Sequence, residues 1–104
     1  MSGKDLERKD SNGDHALIYA ATGGITDIAE LLVKKNANLT CIMNQHGLLP
    51  VVIAAKNGNK DMAHYLYSAT PQSELNPEIS KNGARLVIAA VVSDMQGKHF
   101  ILHL

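Results

Sequence analysis

The residues of this chain best suited to metal binding or catalysis are its five histidines and single cysteine. His99 and His103 stand four apart, a spacing that places two imidazoles on one face of a helix. Zinc-dependent proteases use that spacing with a glutamate between the histidines as base. Here Phe100, Ile101 and Leu102 intervene, and no acidic residue follows as a third ligand. His15, His46 and His64 fall at unrelated positions of the internal repeat described below, so the repeat does not bring them together. Cys41 has no Cys-x-x-Cys partner; it reads as a small buried hydrophobe beside Ile42 and Met43. The glycines of Thr22-Gly23-Gly24 suit a helix end rather than a phosphate loop. The expectation is therefore no enzyme, no catalytic residue, no cofactor and no metal. A small metal-dependent enzyme using His99 and His103 is the alternative from another functional class.

Charge points the same way. Ten acidic residues balance ten basic ones, so there is no concentrated positive surface for a nucleic-acid backbone. Lys4, Arg8 and Lys9 are offset by Asp5, Glu7 and Asp10, a solvated face. The longest apolar runs, Leu48–Ala55 and Leu86–Val92, are eight and seven residues, against about 20 for a helical membrane span. No apolar leader follows Met1, and a lone cysteine suits a reducing compartment, so the expected location is cytoplasmic.

The elements that would position these side chains repeat at 34 residues: Gly13 and Gly47, Ala20-Ala21 and Ala54-Ala55, Gly24 and Gly58, Asp27 and Asp61, Leu31-Leu32 and Tyr65-Leu66. Gly83 and Ala89-Ala90 open a third copy. Each copy starts with a tetrapeptide ending in glycine: Asp10-Ser11-Asn12-Gly13, Asn44-Gln45-His46-Gly47 and Ser80-Lys81-Asn82-Gly83. A short polar side chain that bonds its own backbone, followed by a residue tolerating positive φ, is turn chemistry. After the first turn, Ala16, Leu17, Ala20 and Ala21 form a helical stripe ended by Gly23-Gly24. A second helix is expected near Thr26, capped by its hydroxyl, with Ile28, Leu31 and Leu32 buried and Lys34 and Lys35 at its negative end.

His15-Ala16-Leu17-Ile18-Tyr19-Ala20-Ala21 and Leu49-Pro50-Val51-Val52-Ile53-Ala54-Ala55 resemble the Thr-Pro-Leu-His-x-Ala signature of ankyrin repeats. The paired apolar ends of the second helices agree with it. The resemblance covers Asp10 to about Met95 and implies an all-α solenoid of helix-turn-helix repeats joined by β-turn loops. Neither copy keeps the signature's threonine or histidine, so apolar packing is expected to replace their hydrogen bonds. The wording from Asn57 to Pro77 looks most like plant ankyrin proteins whose longer members carry a membrane region.

The chain divides on this reading into a frayed lead-in (1–9), repeat 1 (10–43), repeat 2 with a Pro-containing connector (44–79) and an incomplete repeat 3 (80–104). The connector, Ser68–Ile79, reads as an exposed loop because Pro71 and Pro77 interrupt any helix. In the third copy Leu86–Val92 suit a buried helix, Ser93-Asp94 stand at its break, and Phe100 and Ile101 belong to an apolar tail without a polar cap. The expected function is non-catalytic recognition of another protein. Turn tips Ser11, Asp14, Gln45, His46, Leu48, Lys81 and Ala84 would make contact, with Thr22 and Lys56 flanking them. Self-association through the C-terminal end is a second expectation. The alternative is a degenerate fragment of a larger, membrane-associated ankyrin protein without activity of its own, at the cytoplasmic face of a membrane.

Overall fold

The computed structural model describes residues 3–78 and 80–95, with side chains as far as residue 89. Among them are six α-helices and no strand. The first turn forms as its residue types dictate. The Gly13 amide donates to the Asp10 carbonyl at 3.0 Å, and Asp10 Oδ1 accepts from the amides of Asn12 and Asp14 at 2.9 and 3.0 Å. The second turn repeats this: Gly47 donates to the Asn44 carbonyl at 3.0 Å, and Asn44 Oδ1 accepts from His46 and Leu48 at 2.9 and 3.0 Å. Both closing glycines have positive φ, +79° and +75°, which a side chain disfavours.

Helix α1 (Ala16–Gly23) buries Leu17, Ile18, Ala20 and Ala21 and stops at Gly24 in the left-handed conformation. Helix α2 (Thr26–Lys35) returns beside it, with Asp27 in its first turn and Lys34 and Lys35 in its last. Its N-cap is Ile25 without a side-chain bond, so Thr26 begins the helix rather than capping it. Its buried face also differs from expectation. Ala29 is fully buried, Leu32 and Val33 are half-buried against the core, and Ile28 and Leu31 are exposed. A 3-10 segment, Ala37–Cys41, leads to the second turn, burying Leu39 and Thr40 and leaving Cys41 half-buried rather than sealed.

Helix α3 (Pro50–Lys56) starts with proline at a position whose amide would lack a helical acceptor anyway, and every residue before Lys56 is buried. It packs against α1 on one side and the third repeat on the other, which explains that burial. Helix α4 (Lys60–Ala69) packs on α3 and α2 and buries Met62, Ala63 and Leu66.

The connector is not simply an exposed loop. After Pro71 it forms a one-turn helix, α5 (Gln72–Leu75), whose Leu75 is buried, and α5 packs on α6 (Lys81–Met95). The third tetrapeptide is not a free turn either: Lys81-Asn82-Gly83 is the first turn of α6. Ser80 Oγ accepts from the amides of Asn82 and Gly83 at 3.1 and 3.3 Å, the bonding of a helix N-cap. Gly83 is needed for another reason. A Cβ there would lie 2.5 Å from the Leu75 carbonyl oxygen, so glycine permits the approach of α5. Helix α6 runs through Ser93 and Asp94, where a break was expected. Leu86 and Ala89 are buried, while Ile88 faces outward. The side chains of Val91 and Val92, and all of the tail with Phe100 and Ile101, lie outside the described residues. At the other end, the lead-in expected to fray holds a 3-10 turn, Gly3–Glu7; Leu6 reaches the core, and Glu7 Oε2 accepts from Asn36 Nδ2 at 2.7 Å.

Candidate interaction surface

The turns form one strip because side chains tie each repeat to the next. A Cβ on Gly13 would stand 3.1 Å from Gln45 Cβ, so the first two tips abut. Asn82 Oδ1 accepts from the Leu49 amide and its Nδ2 donates to the Gly47 carbonyl, both at 3.0 Å. Arg85 Nη1 donates to the same carbonyl at 2.8 Å. Deeper in, Asn59 Nδ2 donates to the Ala21 and Thr22 carbonyls at 3.1 and 3.4 Å, pinning α4 to the end of α1. His15 Nε2 donates to the Ile42 carbonyl at 2.8 Å and binds the start of α1 to the run before the second turn.

Of the expected contact residues, Ser11, Gln45 and His46 are exposed on the two formed tips. Asp14 is half-buried, and its Oδ1 has no hydrogen-bond partner among the described residues. Leu48 is half-buried against the core. Thr22 and Lys56 are exposed at the ends of α1 and α3, Thr22 with its hydroxyl donating to the Ile18 carbonyl at 2.9 Å. Lys81 and Ala84 belong to α6 rather than to a tip: Lys81 is exposed at its first position, and Ala84 is half-buried within it.

Sequence reasoning overlooked Tyr19, Asn59, Asn82 and Arg85. Tyr19 is half exposed and its hydroxyl donates to Asp10 Oδ2. That bond holds the Asp10 carboxyl below the usual carboxylate range and pushes the Tyr19 phenol up. Burial lowers the His15 imidazole, and burial with the nearby Glu30 charge raises the Tyr65 phenol. The available signal was the mismatch between copies. Asn59 replaces Ile25 in register, and a polar residue at an apolar position invites the question of what it bonds.

Among the described residues no three His, Cys, Asp or Glu side chains are placed to hold a metal, and no helix is long and apolar enough to cross a membrane. His99 and His103 lie outside the described residues.

Over residues 1–93 the chain matches the family model of ankyrin repeats in three copies. It is 36% identical over 62 residues to a putative ankyrin repeat protein of Rickettsia bellii, an alignment covering 60% of this chain and 36% of that protein. A second putative ankyrin repeat protein of the same organism is 43% identical over 54 residues, covering 47% of this chain and 8% of the relative. The chain thus spans about a third of the length of one curated relative and under a tenth of the other, and neither is a plant protein. No solved structure matches it.

Proposed function

The chain belongs to the ankyrin-repeat family, whose members generally serve as protein–protein interaction modules rather than enzymes, and on that premise we propose that it recognises another protein through the strip of turn tips and inner helix ends. The observation that carries this reading is the locking of the tips. Ser11, Gln45 and His46 are exposed on turns whose backbone is fixed within each turn by Asp10 and Asn44, and the second turn is held across repeats as well, by Asn82 and Arg85. A contact strip already held in shape loses little conformational entropy on binding, so its polar contacts contribute to affinity almost undiminished. Thr22, Lys56 and Lys81 extend it at the helix ends.

The test uses the whole chain as bait beside two variants. One replaces Gln45, His46 and Lys81 by alanine; the other replaces Glu30 and Lys34, exposed on α2, by alanine. A specific partner is retained by the wild type and the α2 variant and weakened by about tenfold or more in the tip variant, the loss that a single well-placed contact produces. Equal retention by all three removes the tip strip as the recognition surface.

A further inference from the structure

The charges along the strip are not evenly mixed. Counted from the Ala-Ala pairs, Asn12, His46 and Lys81 occupy one register position, and all three are exposed. The second repeat has a repeat packed on each side, so exposure at this position does not depend on an uncovered end of the stack. The first tip carries two carboxylates, Asp10 and Asp14. The Tyr19 hydroxyl donates to Asp10 and favours its ionised form. At the third repeat the strip carries Lys81 and, one helical turn on, Arg85, both exposed on one face of α6.

Arg85 is aimed as well as charged. Its Nη1 donates to the Gly47 carbonyl at 2.8 Å, which draws the guanidinium over the second turn, where His46 precedes Gly47. That bond occupies one N–H of the fork, and the remaining donors have no partner among the described residues. Neither Lys81 nor Arg85 has a described carboxylate within ion-pair distance. Lys9 and Glu78, exposed next to the two ends of the strip in sequence, soften the contrast without removing it. A guanidinium already held in place gives up little freedom when it binds.

We propose that the partner segment is acidic: a stretch of another protein whose carboxylates seat on Arg85 and Lys81 beside His46. This rests on recognition of a protein through the strip and names the chemistry of that protein. A carboxylate matches the planar fork of Arg85, which can bind both of its oxygens at once. The first tip decides between an acidic peptide and a uniform polyanion. A nucleic-acid strand lying along the strip would run from Lys81 onto Asp10 and Asp14, where like charge opposes it. Ten acidic and ten basic residues leave no wider positive field to offset that repulsion. A peptide can confine its acids to one end and lay neutral or basic residues over the first tip. Its direction is thereby set, with the acidic end toward the third repeat.

Panning a displayed library of short random peptides on the whole chain tests this, with synthetic copies of the enriched sequences titrated in solution. Enriched peptides are expected to carry more Asp and Glu than the unselected library. They should bind the double variant Lys81→Glu, Arg85→Glu about tenfold or more weakly than the wild type. Both sites are exposed, and an acid in the first turn of a helix is favourable. Helical circular dichroism matching the wild type verifies folding, and Lys81→Gln with Arg85→Gln replaces the pair if it fails. Exchanging the peptide's acids for lysine should restore binding to the double variant, which mere structural damage would not allow. Peptides without excess acid that nevertheless lose binding when Gln45, His46 and Lys81 become alanine overturn the acidic partner and leave recognition through the strip standing. Acidic peptides that bind the double variant as well as the wild type overturn it too. Enrichment of nothing that depends on the strip overturns both readings. A single-stranded oligonucleotide bound as tightly as the peptides, and lost in the double variant, assigns these cations to nucleic acid instead.

Discussion

Asn82 Oδ1 accepts the Leu49 amide at 3.0 Å, although 33 residues separate them in sequence. Leu49 stands where the repeat signature carries threonine, and its own side chain has no hydroxyl to offer the turn. The next repeat therefore supplies the acceptor, and the other end of the same amide binds the Gly47 carbonyl. Asn82 is 6% exposed, so removing it strands a buried amide. Asn82→Ala should cost about 1–3 kcal/mol in urea unfolding. Arg85→Ala should cost much less, because Arg85 is exposed and Gly47 retains Asn82 as donor. Equal losses for the two would show that Asn82 acts only by filling space.

Gly83 gives a prediction whose sign runs against helix propensity. Glycine to alanine within a helix ordinarily stabilises by up to about 1 kcal/mol. At Gly83 the new Cβ would lie 2.5 Å from the Leu75 oxygen and 2.7 Å from the Asn76 carbonyl carbon, both backbone atoms that no rotamer change can move. Gly83→Ala should instead destabilise by about 1–3 kcal/mol, as overpacking does, by prising α5 from α6. A melt equal to or higher than the wild type's would refute the contact.

Local chemistry was legible in the sequence; the neighbour that overrides it was not. Asp10–Gly13 and Asn44–Gly47 form the expected turns because each is closed by its own side chain and a glycine of positive φ. Ser80–Gly83 has the same residue types, but Ser is also an N-cap residue, and the packing of α5 on α6 accompanies a helix from Lys81 instead. The loss of the signature's threonine and histidine pointed to apolar substitution, and Ile18 and Val52 are indeed buried. Half of the substitution is nevertheless polar, through His15 and Asn82, whose partners lie 27 and 33 residues away. Of the strip itself, the two tips were readable from turn chemistry, whereas Arg85 and Tyr19 join it through contacts that no spacing encodes.

Burial on the second helices separates register from exposure. The 34-residue period pairs Leu31 with Tyr65 and Leu32 with Leu66, yet Leu31 is 54% exposed where Tyr65 is half-buried, and Leu32 is half-buried where Leu66 is fully buried. A repeat fixes which positions are equivalent, not which have a neighbour: among the described residues α2 packs on α1, on α4 and on the 3-10 segment Ala37–Cys41, and Leu31 stays outside those contacts. Leu66→Ala should cost about 2–5 kcal/mol, whereas Leu31→Ala should fall within about 0.5 kcal/mol of the wild type. With so few repeats, Leu66→Ala should abolish the cooperative transition at ambient temperature. Comparable melts for both variants would contradict the described packing of α4.

His15 makes the stability pH-dependent in a definite direction. A carbonyl only accepts, so Nε2, 2.8 Å from the Ile42 oxygen, carries the hydrogen. The neutral ring then leaves Nδ1 as a bare acceptor, buried and without a hydrogen-bond partner among the described residues. Charging the ring would place an uncompensated proton there. Burial is the leading cause that lowers its pKa; the Lys9 charge adds to it, while the Ile42 bond and the Asp14 and Glu7 charges oppose it. In the unfolded chain a histidine titrates at about 6.5. Between that value and the lower folded one, the unfolded state binds more protons, so stability rises with pH. The contribution is complete above about pH 6.5 and is lost as pH falls through the folded value, at no more than about 1.4 kcal/mol per unit for one group. The Asp10 carboxyl, lowered by Tyr19, adds a separate acid-side loss beginning near the ordinary carboxylate value of about 3.9. Urea melts at about pH 7.5 and about pH 5.5 should therefore give a lower midpoint at the acid value through His15. His15→Leu should be less stable at neutral pH, having lost its bond to Ile42, and should show a smaller difference between the two. An NMR titration placing His15 at or above about 6.5 would reverse the sign and refute the buried neutral ring.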